Sequence, residues 1–341
     1  MSRPVLSGVL AVLLVAMPFA NAKAQTESAC DRACLRGLAD QYLSAVAARK
    51  ASSLPLTDNV RYTENGQELE LTDGFWGTAN AVGNYKQHFV DTQAGQVGVF
   101  ATMKENDALV LTATRLKVDR RKISEIETIV LRQSGGSITG GESGAQRLDK
   151  SGKPTPLWEQ LIPTGERMSR EELIKTANKY FVALQKNDGK GEYPFTDDCV
   201  RFENGTQATG SQRMAELADK AESNPTPNDG SRPTAFGYRM MSYGCKKQFE
   251  TGFMRMVDRI RDRRFPIVDV ERGAVFTLVF FDHSGTVHQV TTTDGKTHPV
   301  GLKAPFTWEM AEAFKIEKGQ IRYIEAVFTQ SPYGMKPNWS K

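Results

Sequence analysis

LPLTDNVRYTENG (residues 54–66) comes back as YPFTDDCVRFENG (residues 193–205). The two align with one residue gained at Cys199 and one lost opposite Thr63. Outward from this stretch the match continues. Residues 117–132 (KVDRRKISEIETIVLR) return without a gap as 315–330 (KIEKGQIRYIEAVFTQ). On the other side, a helical stretch carrying Ala39, Tyr42 and Ala45 returns with Ala177, Tyr180 and Ala183. Three matches in one order mean a duplicated domain. The period is far too long for a solenoid repeat.

Each copy opens with an amphipathic helix. Leu35, Leu38, Ala39, Tyr42 and Val46 share a face in the first, and Leu173, Ala177, Tyr180, Phe181 and Leu184 in the second. Ser169 and Glu172 have the spacing of a capping box. A strand follows and ends in Asn65-Gly66 or Asn204-Gly205. Asn-Gly signals a hairpin because both residues tolerate positive φ. After a second helical or irregular stretch, copy one closes with strand runs at 97–103, 108–118 and 123–132. Copy two closes with runs at 265–270, 274–282, 306–316 and 321–329. Strands that follow a helix without regular β-α-β alternation predict an α+β fold with a curved, mainly antiparallel sheet.

Residues 134–153 are rich in Gly and Ser and read as a flexible linker or exposed loop. Residues 154–168, with Pro154, Pro156, Trp158 and Pro163, read as an extended strap. Copy two carries two extra pieces, 211–240 and 283–304. The expected division is a signal peptide (1–24), a first domain (26–133), linker and strap (134–168), and a second domain with inserts (169–341).

The signal peptide is read from Arg3, the apolar run Val5 to Ala16, and two A-x-A-like cleavage sites at 20–22 and 22–24. The run is too short to span a bilayer. A secreted or periplasmic protein without a membrane span is expected. A formal net charge of +4 with interspersed signs argues against nucleic acid as a partner. Four cysteines are an even number for an oxidising compartment. The favoured pair is Cys199–Cys245, worth about 4 kcal/mol in the loop-entropy model. Cys30 and Cys34 either form the second pair or stay as thiols.

No metal or cofactor is expected. No Cys-x2-Cys pair exists, and no His stands at ligand spacing from a Cys. His283, His288 and His298 fall in the second insert. A two-residue turn at Asp294-Gly295 would pair Thr291 with His298 and send the His288 and His298 rings to opposite sides. There is no G-x-S-x-G, P-loop, H-E-x-x-H or dinucleotide fingerprint.

The order of elements, together with LPLTDNVRYTENG, GFWGTA (74–79), GQVGVF (95–100), RLKVDRRKISEIETIV (115–130), DDCVRFENG (197–205) and SPYGMKPNW (331–339), carries a resemblance. The chain resembles a secreted tandem-domain family of the nuclear transport factor 2-like (SnoaL-like) superfamily. That cone-shaped fold is shared by ketosteroid isomerase, scytalone dehydratase, limonene epoxide hydrolase and polyketide cyclases. The resemblance covers most of residues 30–341. It implies two such domains packed as an intramolecular pseudo-dimer. It also implies a pocket between sheet and helices where a few polar groups move protons, usually without metal or cofactor. It does not say which residues act.

A carboxyl in an apolar pocket has a raised pKa and can serve as acid or base near neutrality. Glu127 falls in a pattern with Ile123, Glu125, Ile129 and Leu131, and Glu325 in one with Ile321, Tyr323, Val327 and Thr329. Each glutamate is either a pocket acid/base or half of a buried ion pair, and presence in both copies fits the pair. His88 occurs once, aligned with Gln248. The site is placed in copy one, with Glu127 or His88 transferring the proton and Tyr62 donating a hydrogen bond. Trp76, Phe75, Glu325 and Tyr323 are assigned to ligand contact. Arg61 with Glu64, and Arg201 with Glu203, read as turn-flanking groups, and Arg261 to Arg264 as a solvated charge cluster. Two functions stay open. One is a cofactor-independent lyase, isomerase or dehydratase acting on a small apolar or aromatic molecule. The other is a non-catalytic ligand-binding or scaffold protein of the periplasm or extracellular space.

Overall fold

The repeat is visible as two sheets with the same strand order. The structure is a computed structural model that describes Met1 and residues 29–132, 141–225 and 234–339. The expected signal peptide lies outside the described residues. The first half runs α1 (Arg32–Ala47), β1 (Leu56–Glu64), β2 (Gln67–Glu68), α2 (Phe75–Thr78), β3 (Ala79–Asp91), β4 (Gln96–Glu105), β5 (Ala108–Asp119) and β6 (Lys122–Leu131). A connecting helix, α3 (Gly144–Ser151), leads to the second half. That half runs α4 (Arg170–Lys186), β7 (Phe195–Glu203), β8 (Thr206–Gln207), α5 (Gln212–Ser223), α6 (Ala235–Ser242) and α7 (Cys245–Glu250). It ends with β9 (Arg259–Asp269), β10 (Ala274–His283), β11 (Gln289–Thr291), β12 (Thr297–Pro299), β13 (Phe306–Glu317) and β14 (Gln320–Ser331). The six-stranded sheets are ordered β2-β1-β6-β5-β4-β3 and β8-β7-β14-β13-β10-β9. Only β1/β6 and β7/β14 pair in parallel within them. The fold is α+β in two similar halves.

Each opening helix buries the face its periodicity marks. The Ser169–Glu172 capping box is formed, so two orphan N–H groups at the start of α4 are satisfied. Both Asn-Gly turns hold positive φ, at 46° and 72° in the first copy and 49° and 72° in the second. Cys199–Cys245 joins β7 to α7, and Cys30–Cys34 closes the first turn of α1.

One face of each sheet packs on its own helices. Val97, Val99, Leu116, Ile126 and Val130 meet α1, and Val275, Val279, Phe314 and Ile324 meet α4. The other faces pack on each other. Phe89, Phe100, Leu111 and Ile129 of the first half share a cluster with Ile267, Phe276, Leu278 and Val327 of the second. This double burial explains why every residue of β10 is buried, as in a sheet covered on both sides. The halves are tied reciprocally. Arg32, first in α1, donates to Asp269 at the end of β9 (2.7 and 2.9 Å), and Arg170, first in α4, donates to Asp91 at the end of β3 (2.5 Å). A contact repeated with the halves exchanged is the mark of a two-fold interface.

Several expectations need correction. The 54–66 and 193–205 stretches align without a gap. Leu56 faces Ile123 and Arg61 faces Glu125; Phe195 faces Ile321 and Val200 faces Tyr323. Both copies carry the same bulge, so Cys199 is no insertion. Arg201 is then the counterpart of Tyr62, not of Arg61, and points to the opposite face. The expected second helical or irregular stretch of copy one is largely strand β3. Its bulges beside Ala81 and between Val82 and Lys86 erase the alternation a strand should show. His88 therefore sits on a strand, while Gln248 sits on α7, so the two are not equivalent. The Gly144–Ser151 part of the expected linker is helical, with a capping box from Ser143 and Gln146. Between β11 and β12, His298 faces Val290 rather than Thr291, one residue from the expected register, which puts it on the His288 side. Its ring stacks on Phe236. Among the described residues no three His, Cys, Asp or Glu gather as metal ligands, and no helix is long and apolar enough to cross a membrane.

Candidate functional site

The strand bulges decide which groups meet. Ile123 and Ile126 point to the helix side, whereas Glu127 and Ile129 point to the seam between the halves. The shift lies at Lys117/Val118, and its copy at Lys315/Ile316. Glu127 and Glu325 thus lie at the seam, not in the space between sheet and helix.

At the seam the two glutamates have diverged. Glu127 is gripped by Arg115 Nε (2.9 Å) from its own half and by Arg264 Nη1 (3.1 Å) from the other. Arg115 Nη1 also reaches Glu125 (2.9 Å) and Gln96 (3.0 Å). Burial pushes Glu125 up, but Arg115 and Lys117 outweigh it and hold it below its ordinary value. Nearby Glu309 on β13 is buried with one oxygen unpartnered, and burial followed by repulsion from Glu127 pushes it up to about 8.

Among the described residues Glu325 meets no cation. Tyr85 Oη donates to Oε1 (2.6 Å) and Trp158 Nε1 to Oε2 (3.1 Å). Both donors come from outside the second half, Tyr85 from β3 and Trp158 from the strap. Burial raises the Glu325 carboxyl above its ordinary value, although both hydrogen bonds oppose this. Tyr323 stacks on Phe202 (5.8 Å) and meets Trp158 edge-on (5.5 Å). Tyr85, Phe202, Tyr323 and Glu325 line a cavity of about 450 Å³, with Trp158 packed behind them. Its aromatic wall is Tyr85, Phe202 and Tyr323, its carboxyl is Glu325, and Arg147, Lys153 and Arg213 stand on its polar side. α3 closes one side, with Arg147 donating to Gly205 O (3.2 Å) and to Thr206. The volume lies within the range of small-molecule sites.

The other singled-out residues lie elsewhere. Tyr62 sits on the helix side and donates to Glu64 Oε2 (3.0 Å). Phe75 and Trp76 are core there, Trp76 edge-on to Tyr42 (5.5 Å). Glu64 also accepts from Phe75 N (2.6 Å) and pairs with Arg132 (2.7 Å). His88 meets Asp40 of α1 (3.2 Å), and Lys86 shares that carboxylate (2.8 Å). His88 and then Lys86 hold Asp40 well below the usual carboxylate range. Glu127, His88 and Tyr62 are therefore not brought together. Arg261 to Arg264 do not form a solvated cluster: Arg261 holds Asp282, Arg263 reaches Asn178 and Gln185, and Arg264 holds Glu127.

The second half has its own helix-side polar group. Arg201, buried, donates to Gln248 Oε1 (2.6 Å) and Tyr180 Oη (3.3 Å), and pairs with Glu203 (3.0 Å). Glu312 lies beside it, pushed up to about 8 by burial. Arg201 is thus a buried helix-side group and not a turn-flanking one, and Glu309, Glu312, Tyr85 and Trp158 are not among the residues expected at a site. Glu309 and Glu312 stand in the apolar run FTWEMAEAF (306–314), the same signal that marked Glu127. Tyr85 and Trp158 had no local signal.

The family described as "Domain of unknown function (DUF8021)" matches residues 28–130 and again 166–328, and the chain belongs to it as two tandem copies. No curated protein matches the chain. Among solved structures, AclR from Streptomyces galilaeus, described as "a putative hydroxylase", is similar at 16% identity. It covers 48% of this chain and 83% of its own, with a TM-score of 0.22. At that score the overlay sets neither fold nor activity.

Proposed function

We propose that this member of the DUF8021 family binds a small aromatic or mainly apolar molecule in the cavity at Glu325, and that each half is of the nuclear transport factor 2-like, SnoaL-like kind. The single observation behind the site is a buried carboxyl without a cation, facing an aromatic-walled cavity of about 450 Å³. Arg147 and Lys153 on the polar side suit a ligand with an anionic or hydrogen-bond-accepting end. The two disulfides and the leader read from the sequence support an exported protein. The matches at 28–130 and 166–328 support domain limits near 26–133 and 169–341.

The reaction class that suits this carboxyl is proton transfer, as in an isomerisation or an elimination. A carboxyl raised by burial holds its proton more tightly than an exposed one; it can donate that proton and take another from the adjacent carbon. Glu325 supplies the proton, and Tyr85 and Trp158 supply hydrogen bonds that hold its carboxylate form. A second reading, binding without turnover, is favoured by one observation: both Glu325 oxygens already accept hydrogen bonds, from Tyr85 and Trp158.

Native mass spectrometry of the exported protein tests both readings. An aromatic or apolar compound that co-purifies, and is lost in Tyr323→Ala, supports the site. If Tyr323→Ala retains it, the site is elsewhere. Glu325→Gln then separates the readings. Retained binding with at least a hundredfold loss of turnover supports acid–base chemistry, which contributes on the order of 10² to 10⁴ in rate. No turnover in either protein supports the binding reading.

A further inference from the structure

The seam has a second opening, where the two-fold places the counterpart of the Glu325 cavity. It is a groove of about 1130 Å³ on the seam face of β1, β6 and β5. β9 of the other half forms one wall with Arg264, Phe265 and Pro266, and the C-terminal Trp339 forms another. The indole is fixed in place. Its Nε1 donates to Thr63 Oγ1 (2.8 Å), Arg61 lies 4.4 Å from the ring centre and Arg115 lies 4.9 Å from it.

The lining is unlike that of the Glu325 cavity. It holds five cationic side chains, Arg61, Arg115, Lys117, Arg120 and Arg264, against two acids, Asp119 and Glu125. Glu125 is already paired with Arg115 and Lys117, Glu127 beneath it with Arg115 and Arg264, and Glu68 with Arg61 Nε and Nη2, so among the described residues the cationic donors left open are Arg120, Arg61 Nη1 and the outer N–H groups of Lys117. Between the cations stand neutral groups that suit hydroxyls: Thr57, Asn59, Gln96 and Ser124. The Asn59 and Arg120 side chains have no hydrogen bond or ion pair among the described residues. Fixed guanidinium groups bind carboxylate and sulfate in preference to neutral groups. Amides and hydroxyls set between them suit a polyhydroxylated ring. The apolar edges of Phe265, Pro266 and Trp339 suit the C–H faces of such a ring.

We propose that this groove binds an acidic oligosaccharide, with its acid groups on Arg120, Lys117 and Arg61 and its hydroxyls on Asn59 and Gln96. A bare anion would use the charge but not the length or the neutral polar lining. The groove shares no lining residue with the Glu325 cavity, so either idea can fail alone.

The test is calorimetric titration of the full chain with trigalacturonate, with a sulfated chondroitin disaccharide, with maltotriose and with inorganic phosphate. At least one acidic sugar is expected to bind, and to weaken about tenfold or more in high salt, where exposed charges are screened. Maltotriose and phosphate are expected to bind at least about tenfold more weakly. Which acidic sugar binds distinguishes carboxylate from sulfate recognition. Lys117→Ala with Arg120→Ala, both on the rim, should cost about tenfold or more in affinity with an unchanged melting temperature. Tyr323→Ala should leave sugar binding intact. The proposal is overturned if neither acidic sugar binds, if maltotriose or phosphate binds as well, or if the rim variant binds like the parent.

Discussion

Glu309 shows what burial does to a single carboxyl. It sits at the seam with Glu127 on one side and Arg264 on the other, and burial pushes it from the ordinary 4.5 to about 8. In the unfolded chain it titrates near its ordinary value. The folded protein therefore holds a proton that the unfolded chain has lost across the window between the two. Stability from this group is full below about pH 4.5 and is lost as pH rises through about 8. Glu312, also pushed up to about 8, adds a second decline of the same sign. Glu309→Gln keeps the shape of the neutral carboxyl and removes its titration. Urea unfolding should find the variant more stable than the parent at pH 8, with the gap shrinking toward pH 4.5. A gap independent of pH would show that Glu309 is ionised in the folded protein. Glu127, two residues along the strand from Glu125, was legible as an unusual carboxylate in an apolar strand. Its partner Arg264 lies 137 positions away, so whether it was an acid or half of a pair could not be read locally.

Helix α3 and the C-terminal segment do the same job from opposite ends. Each follows the last strand of one half and docks on the Asn-Gly turn of the other. Arg147 of α3 donates to Gly205 O (3.2 Å), and Asn338 donates to Gly66 O (2.7 Å). Gly144 opens α3 where the chain runs against the backbone of Asn204 and Gly205, and a Cβ there would drive into the Asn204 carbonyl. Gly144→Ala should undock α3 and loosen one wall of the Glu325 cavity, at a cost of about 1–3 kcal/mol, the usual range for overpacking. Hydrogen exchange checks this, with faster exchange expected in 144–151 and at the 204–205 turn while β10 and β13 stay protected. Unchanged exchange in α3 would mean the turn yields instead. The composition of 134–153 concealed this helix, because Gly and Ser that suit a linker also supply a cap at Ser143 and a close approach at Gly144.

The two-fold relation governs the whole molecule. Arg170–Asp91 and Arg32–Asp269 are one contact made twice, and each aspartate is almost fully buried against a partly exposed arginine. Asp91 also accepts from Val268 N (2.8 Å), which ties the carboxylate to the opposing sheet. Removing Arg170 strands a buried charge, so Arg170→Ala should cost roughly 2–4 kcal/mol, near the range for breaking a buried pair. Asp91→Ala should cost a similar amount, and the double variant clearly less than the sum. A thermal-unfolding double-mutant cycle reads the coupling, expected at about 1 kcal/mol or more. Strict additivity would mean that the apolar seam alone holds the halves together.

The duplication, the buried faces of α1 and α4, the two Asn-Gly turns and the Cys199–Cys245 pair were all legible in the sequence. They rest on local rules: a 3.6-residue period, a dipeptide that accepts positive φ, and an even set of cysteines. Tertiary structure decided which strand face looks where. A bulge moves the pattern by one residue, and with a period of two that sends Glu127 to the seam while Ile123 stays on the helix side. It also decided the company each carboxyl keeps. Glu325 meets Tyr85 from 240 positions away and Trp158 from 167, and no local pattern records a contact made by folding one half onto the other.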